Sequence, residues 1–195
     1  MVTNAIRLIC EDECHSVGWK NGQGTTSIIA DEYHRRAGSR SWEDLIWRLS
    51  RTTISSAVQF SDHRGFERYQ VVTAGEGLHL DFGEGSIDLS LPFAPVRYPG
   101  ELSIVSRLER DEPVEVLNLM FDRSIAKGHM RVIREGQGVS CEPGTHLIWA
   151  PVSSVEVTIN NGRHCIPSYG CLRFGCDQLT AIASRSPVIL SSIYM

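Results

Sequence analysis

The chain has 195 residues and a mass of 21.7 kDa, room for one domain or for two fused halves sharing a core. Apolar residues make up 42% and charged residues 22%, an ordinary globular composition that can bury a core without disulfide staples. The net charge of −4 leaves no basic face for nucleic acid, and no apolar run approaches the roughly 18 residues of a membrane span, so neither partner is expected.

Residues Met1 to Cys14 lack the basic start, apolar stretch and cleavage site of a secretory leader, so a cytoplasmic location is expected. The six cysteines, spaced Cys10-x3-Cys14 and Cys165-x5-Cys171-x4-Cys176 with Cys141 apart, miss the paired C-x2-C spacing of structural zinc sites. They are expected to be reduced and mostly buried, behaving as small hydrophobes. All of the 19 basic residues except Lys20 and Lys127 are arginines, whose planar forks suit carboxylates. A compositional bias of the genome explains that equally well, so it decides nothing alone.

In chain order, Trp19-Lys20-Asn21-Gly22-Gln23-Gly24-Thr25-Thr26 reads as a tight turn. Its successive backbone N–H groups could cradle an anion, although most Asn-Gly turns are only turns. Ser39 to Ser41 reads as a loop, and one helical turn is expected around Ser41 to Leu45. In the strand that follows, Leu45, Trp47 and Leu49 share one face while Ile46, Arg48 and Ser50 share the other. If the apolar face meets the core, Arg48 points outward; if the polar face lines a cavity, Arg48 can anchor a carboxylate. The pattern favours the outward reading.

Arg68 to Thr73, Gly77 to Phe82 and Ser86 to Leu91 cluster apolar residues at period two, split by Ala74-Gly75-Glu76-Gly77 and Gly83-Glu84-Gly85 turns. Val114 to Phe121 is apolar on both faces apart from Glu115 and Asn118, as a covered central strand would be. Asn118 must therefore find partners, either backbone groups at a strand irregularity or a ligand in a cavity. Arg123 lies just past that strand, where it can lean over a barrel mouth or point to water.

Further strands are expected at Met130 to Ile133, Val139 to Cys141, His146 to Ala150, Val155 to Ile159, Cys171 to Phe174 and Val188 to Ile193, with Asn160-Asn161-Gly162 as a hairpin turn. The regular alternation of strand and turn points to an all-β sandwich or barrel. Two strand-turn-strand halves suggest an internal duplication within one compact unit, divided approximately into 1–123 and 124–195.

Catalytic signatures are scarce. No Gly-x-Ser-x-Gly elbow or His-Glu-x-x-His helix occurs, and the seven histidines are scattered singly. No catalytic residue, metal or cofactor is therefore assigned. His79 and Asp81 read as an exposed pair on one strand face.

Four of the short blocks, in order, resemble the HutD/Ves family of cupin-like proteins. They are Trp19 to Thr26, Trp47-Arg48-Leu49-Ser50, Phe60-Ser61 with Glu67-Arg68, and Leu117-Asn118-Leu119-Met120-Phe121-Asp122-Arg123. The resemblance spans roughly residues 17–123 and implies a double-stranded β-helix, the jelly roll of cupins, duplicated as a bicupin. It implies a pocket gathering Asn21, Arg48, Ser61, Arg68, Asn118 and Arg123, with Arg48 and Arg68 clamping carboxylates and Asn21 and Asn118 bonding a neutral polar group.

Metal-binding cupins carry His-x-His on one strand, absent here, and Gly138 to His146 looks like a degenerate second cupin motif. HutD proteins are associated with regulating histidine utilisation and Ves proteins with stress induction. The implied ligand is a small carboxylate such as a formylated or formimidoylated glutamate, or urocanate. The implied role is a non-enzymatic sensor; the alternatives are a cupin-fold isomerase, lyase or hydrolase using His79 or His146, and a homodimer paired through an outer sheet. The chain departs from the family pattern at Gln23, at Val58-Gln59 before Phe60, and at His63-Arg64-Gly65.

Overall fold

A computed structural model describes residues 6–19, 24–34, 41–151, 153–176 and 180–195. Period-two stretches separated by glycine turns become antiparallel strands. In chain order the first six are β1 (Arg7–Ile9), β2 (His15–Gly18), β3 (Thr25–Tyr33), β4 (Leu45–Ile54), β5 (Phe66–Ala74) and β6 (Leu78–Phe82). Next come β7 (Gly85–Asp88), β8 (Val96–Pro99), β9 (Val105–Leu108), β10 (Val114–Asp122), β11 (Lys127–Ile133) and β12 (Gly138–Cys141). The last are β13 (Gly144–Trp149), β14 (Val155–Ile159), β15 (Gly162–Ile166), β16 (Cys171–Cys176), β17 (Thr180–Ser184) and β18 (Val188–Tyr194). The only helical pieces among the described residues are single 3-10 turns at Glu11–Glu13 and Trp42–Asp44, the second where one turn was expected. None is long or apolar enough to cross a membrane.

The chain divides into two units, His15–Ala126 and Met1–Cys14 with Lys127–Met195. In the first, a six-stranded sheet runs β2-β3-β4-β10-β5-β8 and a three-stranded sheet runs β7-β6-β9. The covered central strand expected at Val114 to Phe121 is β10, paired on one side with β4 and on the other with β5. Its Leu117 and Leu119, with Trp47 and Leu49 of β4 and Val71 of β5, are fully buried on one face. An apolar cluster of this unit includes Ile54, Val72, Leu78, Leu80, Ile104 and Val116, and through Tyr98 and Phe60 it reaches the guanidinium of Arg68.

In the second unit, β1-β16-β13-β18-β11 form one sheet and β12-β17-β14-β15 another. Here β1 pairs with β16, so the N-terminal strand joins the C-terminal unit, a long-range pairing with no local sequence signal. All six cysteines are free; Cys141, Cys171 and Cys176 are buried, Cys10 and Cys14 half-buried and Cys165 exposed. Burial pushes the Cys141 and Cys171 thiols up, which keeps them protonated and unreactive.

His146, at the end of the degenerate cupin motif, is fully buried in this second unit. Its Nδ1 lies 2.9 Å from Ser192 Oγ, and its Nε2 lies 3.0 Å from the Glu142 carbonyl and 3.3 Å from Cys176 Sγ. Both ring nitrogens are thus taken up by protein groups. Desolvation holds its pKa below the ordinary histidine value, a tendency that Arg131 reinforces and the Glu142 carbonyl opposes. The unfolded chain therefore takes up this proton first, so the stability that neutral His146 contributes is present above about pH 6.5 and is lost below it. The thermal midpoint is expected to fall between pH 7 and 5, and to fall less steeply in His146→Gln. Equal slopes in scanning calorimetry would rule out this contribution.

Candidate functional site

The polar residues of the six-stranded sheet lie in cross-strand rows because neighbouring antiparallel strands hold facing residues at one level. One row reads Asp31, Arg48, Met120, Arg68, Tyr98 across β3, β4, β10, β5 and β8. The next reads Ile28, Ser50, Asn118, Gln70, Val96 across the same strands. The row beyond, Thr26, Thr52, Val116, Val72, turns apolar toward the core cluster. Side chains alternate along each strand, so all three rows share one face.

That face forms the wall of a cavity of about 940 Å³, within the range of small-molecule sites. The segment from Gln59 to Phe66 contributes Phe60, Ser61, His63, Arg64 and Phe66, and Trp19 and Trp42 line the cavity as well. Trp19 is fixed by its indole N–H, which donates to Thr26 Oγ1 at 2.9 Å, and Thr26 Oγ1 in turn lies 2.9 Å from Thr52 Oγ1.

Arg48 faces this cavity, which overturns the outward reading of its strand. The pattern misled because β4 is covered on both faces: Trp47 and Leu49 are buried on one, yet Ser50 and Thr52 are buried on the other. Arg48 already has partners for one end of its guanidinium, although its Nε, like that of Arg68, has no acceptor among the described residues. Its Nη2 donates to the Tyr33 hydroxyl at 2.7 Å and sits 3.6 Å from Asp31 Oδ2, and its guanidinium lies 4.6 Å from the Trp42 ring centroid. Trp42 also packs against His63, with ring centroids 4.5 Å apart.

Arg68 is different. It is 8% exposed and, among the described residues, has no carboxylate partner. Its Nη2 reaches Asn118 Oδ1 only at 3.5 Å, at the limit of a hydrogen bond, and its Nε has no acceptor. Its guanidinium lies 5.0 Å from the Phe60 ring and 5.3 Å from that of Tyr98, contacts that offset only part of the desolvation of a buried cation.

Asn118 is buried in an unbroken stretch of ladder, since the irregularity in β10 lies at Glu115/Val116. Its side chain lines the cavity. Ser61 lines the cavity as well. Arg123 does not. It stands outside the lining, donates from Nη2 to Glu101 at 2.7 Å and lies 3.7 Å from Glu67, so its placement in the pocket is corrected to a surface ion pair. Asn21 falls outside the described residues.

Gln70 was missed from sequence. It is 1% exposed, lines the cavity one step along β5 from Arg68, and its Oε1 accepts a 2.6 Å bond from the Tyr98 hydroxyl. Burial pushes the Tyr98 phenol above its usual range despite the nearby Arg68 charge, so it remains a donor. The Gln70 Nε2 has no partner among the described residues, and a buried unpaired amide costs about 1–3 kcal/mol. The signal available was its period-two spacing from Arg68.

Neither histidine proposed for acid–base chemistry lines this cavity. His79 belongs to β6 and pairs with Glu109 and Asp88, whereas His146 belongs to the second unit. Asp81, its expected neighbour on that strand face, bonds Arg107 at 3.0 Å instead. Among the described residues no group of three or more metal-ligating side chains comes together.

A model of the HutD family matches residues 11–186 of the chain. The chain belongs to the HutD family. A protein of Pseudomonas putida described as an uncharacterized 21.2 kDa protein in the hutC 3′ region is 27% identical over 181 residues, covering 91% of each chain. HutD from Pseudomonas fluorescens SBW25, solved in a formate condition, superposes with a TM-score of 0.80 at 23% identity over 97% of this chain and 98% of its own. A conserved protein of unknown function from Pseudomonas aeruginosa PAO1 gives 0.81 at 19% identity over 97% of both. These structural likenesses carry the all-β, cupin-like fold.

Proposed function

We propose that this HutD-family chain is a non-enzymatic, cytoplasmic sensor that binds a small carboxylate in the cavity of its N-terminal unit and acts in the regulation of histidine utilisation. The bicupin duplication and barrel closure implied by the family resemblance are part of the same reading. The observation that supports it is Arg68: a buried guanidinium with no carboxylate partner among the described residues, in a cavity of metabolite size. A charged group persists in such a place when a ligand of opposite sign repays its desolvation. A formylated glutamate or urocanate fits the requirement for one modest acid.

The support for a binding role over catalysis is the cavity lining itself. Arg68, Asn118, Gln70 and Ser50 are groups that hold a ligand; His79 and His146 are elsewhere, and His63, which lines the cavity with Glu43, Asp62 and Asp122, packs against the Trp42 ring. A thermal-shift panel of formate, formylglutamate, urocanate and unrelated small acids tests the proposal. A true ligand at a hundredfold excess over its Kd stabilises the protein by about 2.7 kcal/mol. Absence of a shift with every acid, or turnover of any of them, counts against it.

A further inference from the structure

We infer that the Ser50–Asn118–Gln70 row is a second subsite of the cavity, one that selects ligands carrying an uncharged hydrogen-bond acceptor besides the carboxylate taken by Arg68. This rests on the carboxylate-binding reading above and adds to it a rule about the rest of the ligand.

The row is a built feature and not a scatter of polar residues. Ser50, Asn118 and Gln70 sit at one level on three adjacent strands, are 4%, 6% and 1% exposed, and all line the cavity. The row on one side carries the two arginines, and the row on the other is closed by Val116 and Val72. The Ser50–Asn118–Gln70 level therefore carries only neutral hydrogen-bonding groups, while charged lining groups, the two arginines and Asp122 among them, stand on the levels to one side of it. Two residues along a strand is a step of roughly 6.5–7 Å, which sets the distance between the levels.

Within the row, Gln70 supplies the donor. The Tyr98 hydroxyl, held protonated by burial, donates to its Oε1 and fixes which way the amide lies. That leaves Nε2 as the end without a partner. Asn118 Oδ1 is meanwhile turned to Arg68. An acceptor on the ligand, such as an amide or formyl oxygen, completes the Gln70 amide; an alkyl group in the same place leaves it buried and unpaired. A site built to hydrogen-bond a polar group discriminates strongly against an apolar isostere, because the protein groups are then stranded.

The test uses two acids of equal shape, succinamate and 4-methylpentanoate, titrated calorimetrically into the wild type, Gln70→Leu, Tyr98→Phe and Arg68→Met. The wild type is expected to favour succinamate by about tenfold or more. Gln70→Leu should bind both acids within about threefold of each other, and Tyr98→Phe, which releases the amide, should reduce the preference. Tyr98→Phe also serves if Gln70→Leu does not fold. Wild type that binds both acids equally overturns the subsite, as does a preference that survives both variants; wild type that binds neither acid overturns the carboxylate reading. Retention of wild-type affinity for both acids in Arg68→Met would likewise overturn the carboxylate reading, leaving the two failures separable.

Discussion

Arg68→Met is expected to make the unliganded protein more stable and to abolish its response to small carboxylates. The two effects have opposite signs because they share one cause. In the free protein the guanidinium is 8% exposed, has one marginal bond to Asn118 and leaves Nε unbonded. Methionine fills part of the same space with an apolar chain and removes the buried charge over the Phe60 ring, a change worth about 1–3 kcal/mol in favour of folding. With an acid bound, the same guanidinium becomes one half of a desolvated ion pair, and losing it costs about 2–5 kcal/mol, roughly thirtyfold to several thousandfold in affinity.

Arg48, on the same row, supplies the contrast. Its partners Asp31 and Tyr33 are already in place, and removing it strands a carboxylate whose side chain is only 11% exposed. Arg48→Met is therefore expected to destabilise the protein, by about 3 kcal/mol. Chemical denaturation of the two variants, with and without the acid, reads both signs. Destabilisation by Arg68→Met with ligand response intact would remove the basis of the proposed function.

The strands were legible because their signals are local: period-two apolar residues between glycine turns predict β5, β6 and the C-terminal strands without knowledge of their partners. The central place of β10 was legible for the same reason, since a strand apolar on both faces must be covered on both. The site was only partly legible. Arg48, Ser61, Arg68 and Asn118 stand inside short motif blocks, and all four line the cavity. Arg123 stands in one of those blocks too, but its carboxylate partner Glu101 lies on a distant loop that no local pattern brings near. Gln70 sits between Tyr69 and Val71 in what reads as a core strand, and its polarity gains meaning only from the register that sets it beside Asn118. The Asp31–Arg48 pair likewise depends on the shift between β3 and β4 at Ile28/Ala30. Register is a long-range property, and one residue of slip sends every side chain to the opposite face.

The cavity lining from Gln59 to Phe66 depends on one glycine. Gly100 is buried at the end of β8, where its N–H donates to the Phe66 carbonyl at 2.8 Å and its own carbonyl accepts from the His63 N–H at 3.0 Å. The Phe66 N–H closes the intervening turn on the His63 carbonyl, also at 3.0 Å. A Cβ at Gly100 would meet the His63 carbonyl oxygen at 2.5 Å and that of Phe66 at 3.1 Å. Both obstacles are backbone, so no side-chain rotation relieves them. Gly100→Ala must push the His63–Phe66 turn away from β8, and with it the cavity residues His63, Arg64 and Phe66 that precede Arg68 in the chain. Overpacking of this kind costs about 3 kcal/mol, or roughly 6–12 °C in Tm for a chain of this size. Carboxylate affinity should fall with it, because the turn and Arg68 are joined through Glu67. Gly138→Ala, whose Cβ would meet nothing nearer than the Ile182 carbonyl at 3.9 Å, is the matched control and should change neither quantity. If Gly100→Ala melts and binds like the wild type, the turn is not held by this contact and the cavity wall must owe its position to Phe60, whose N–H bonds the Ile104 carbonyl at 2.9 Å.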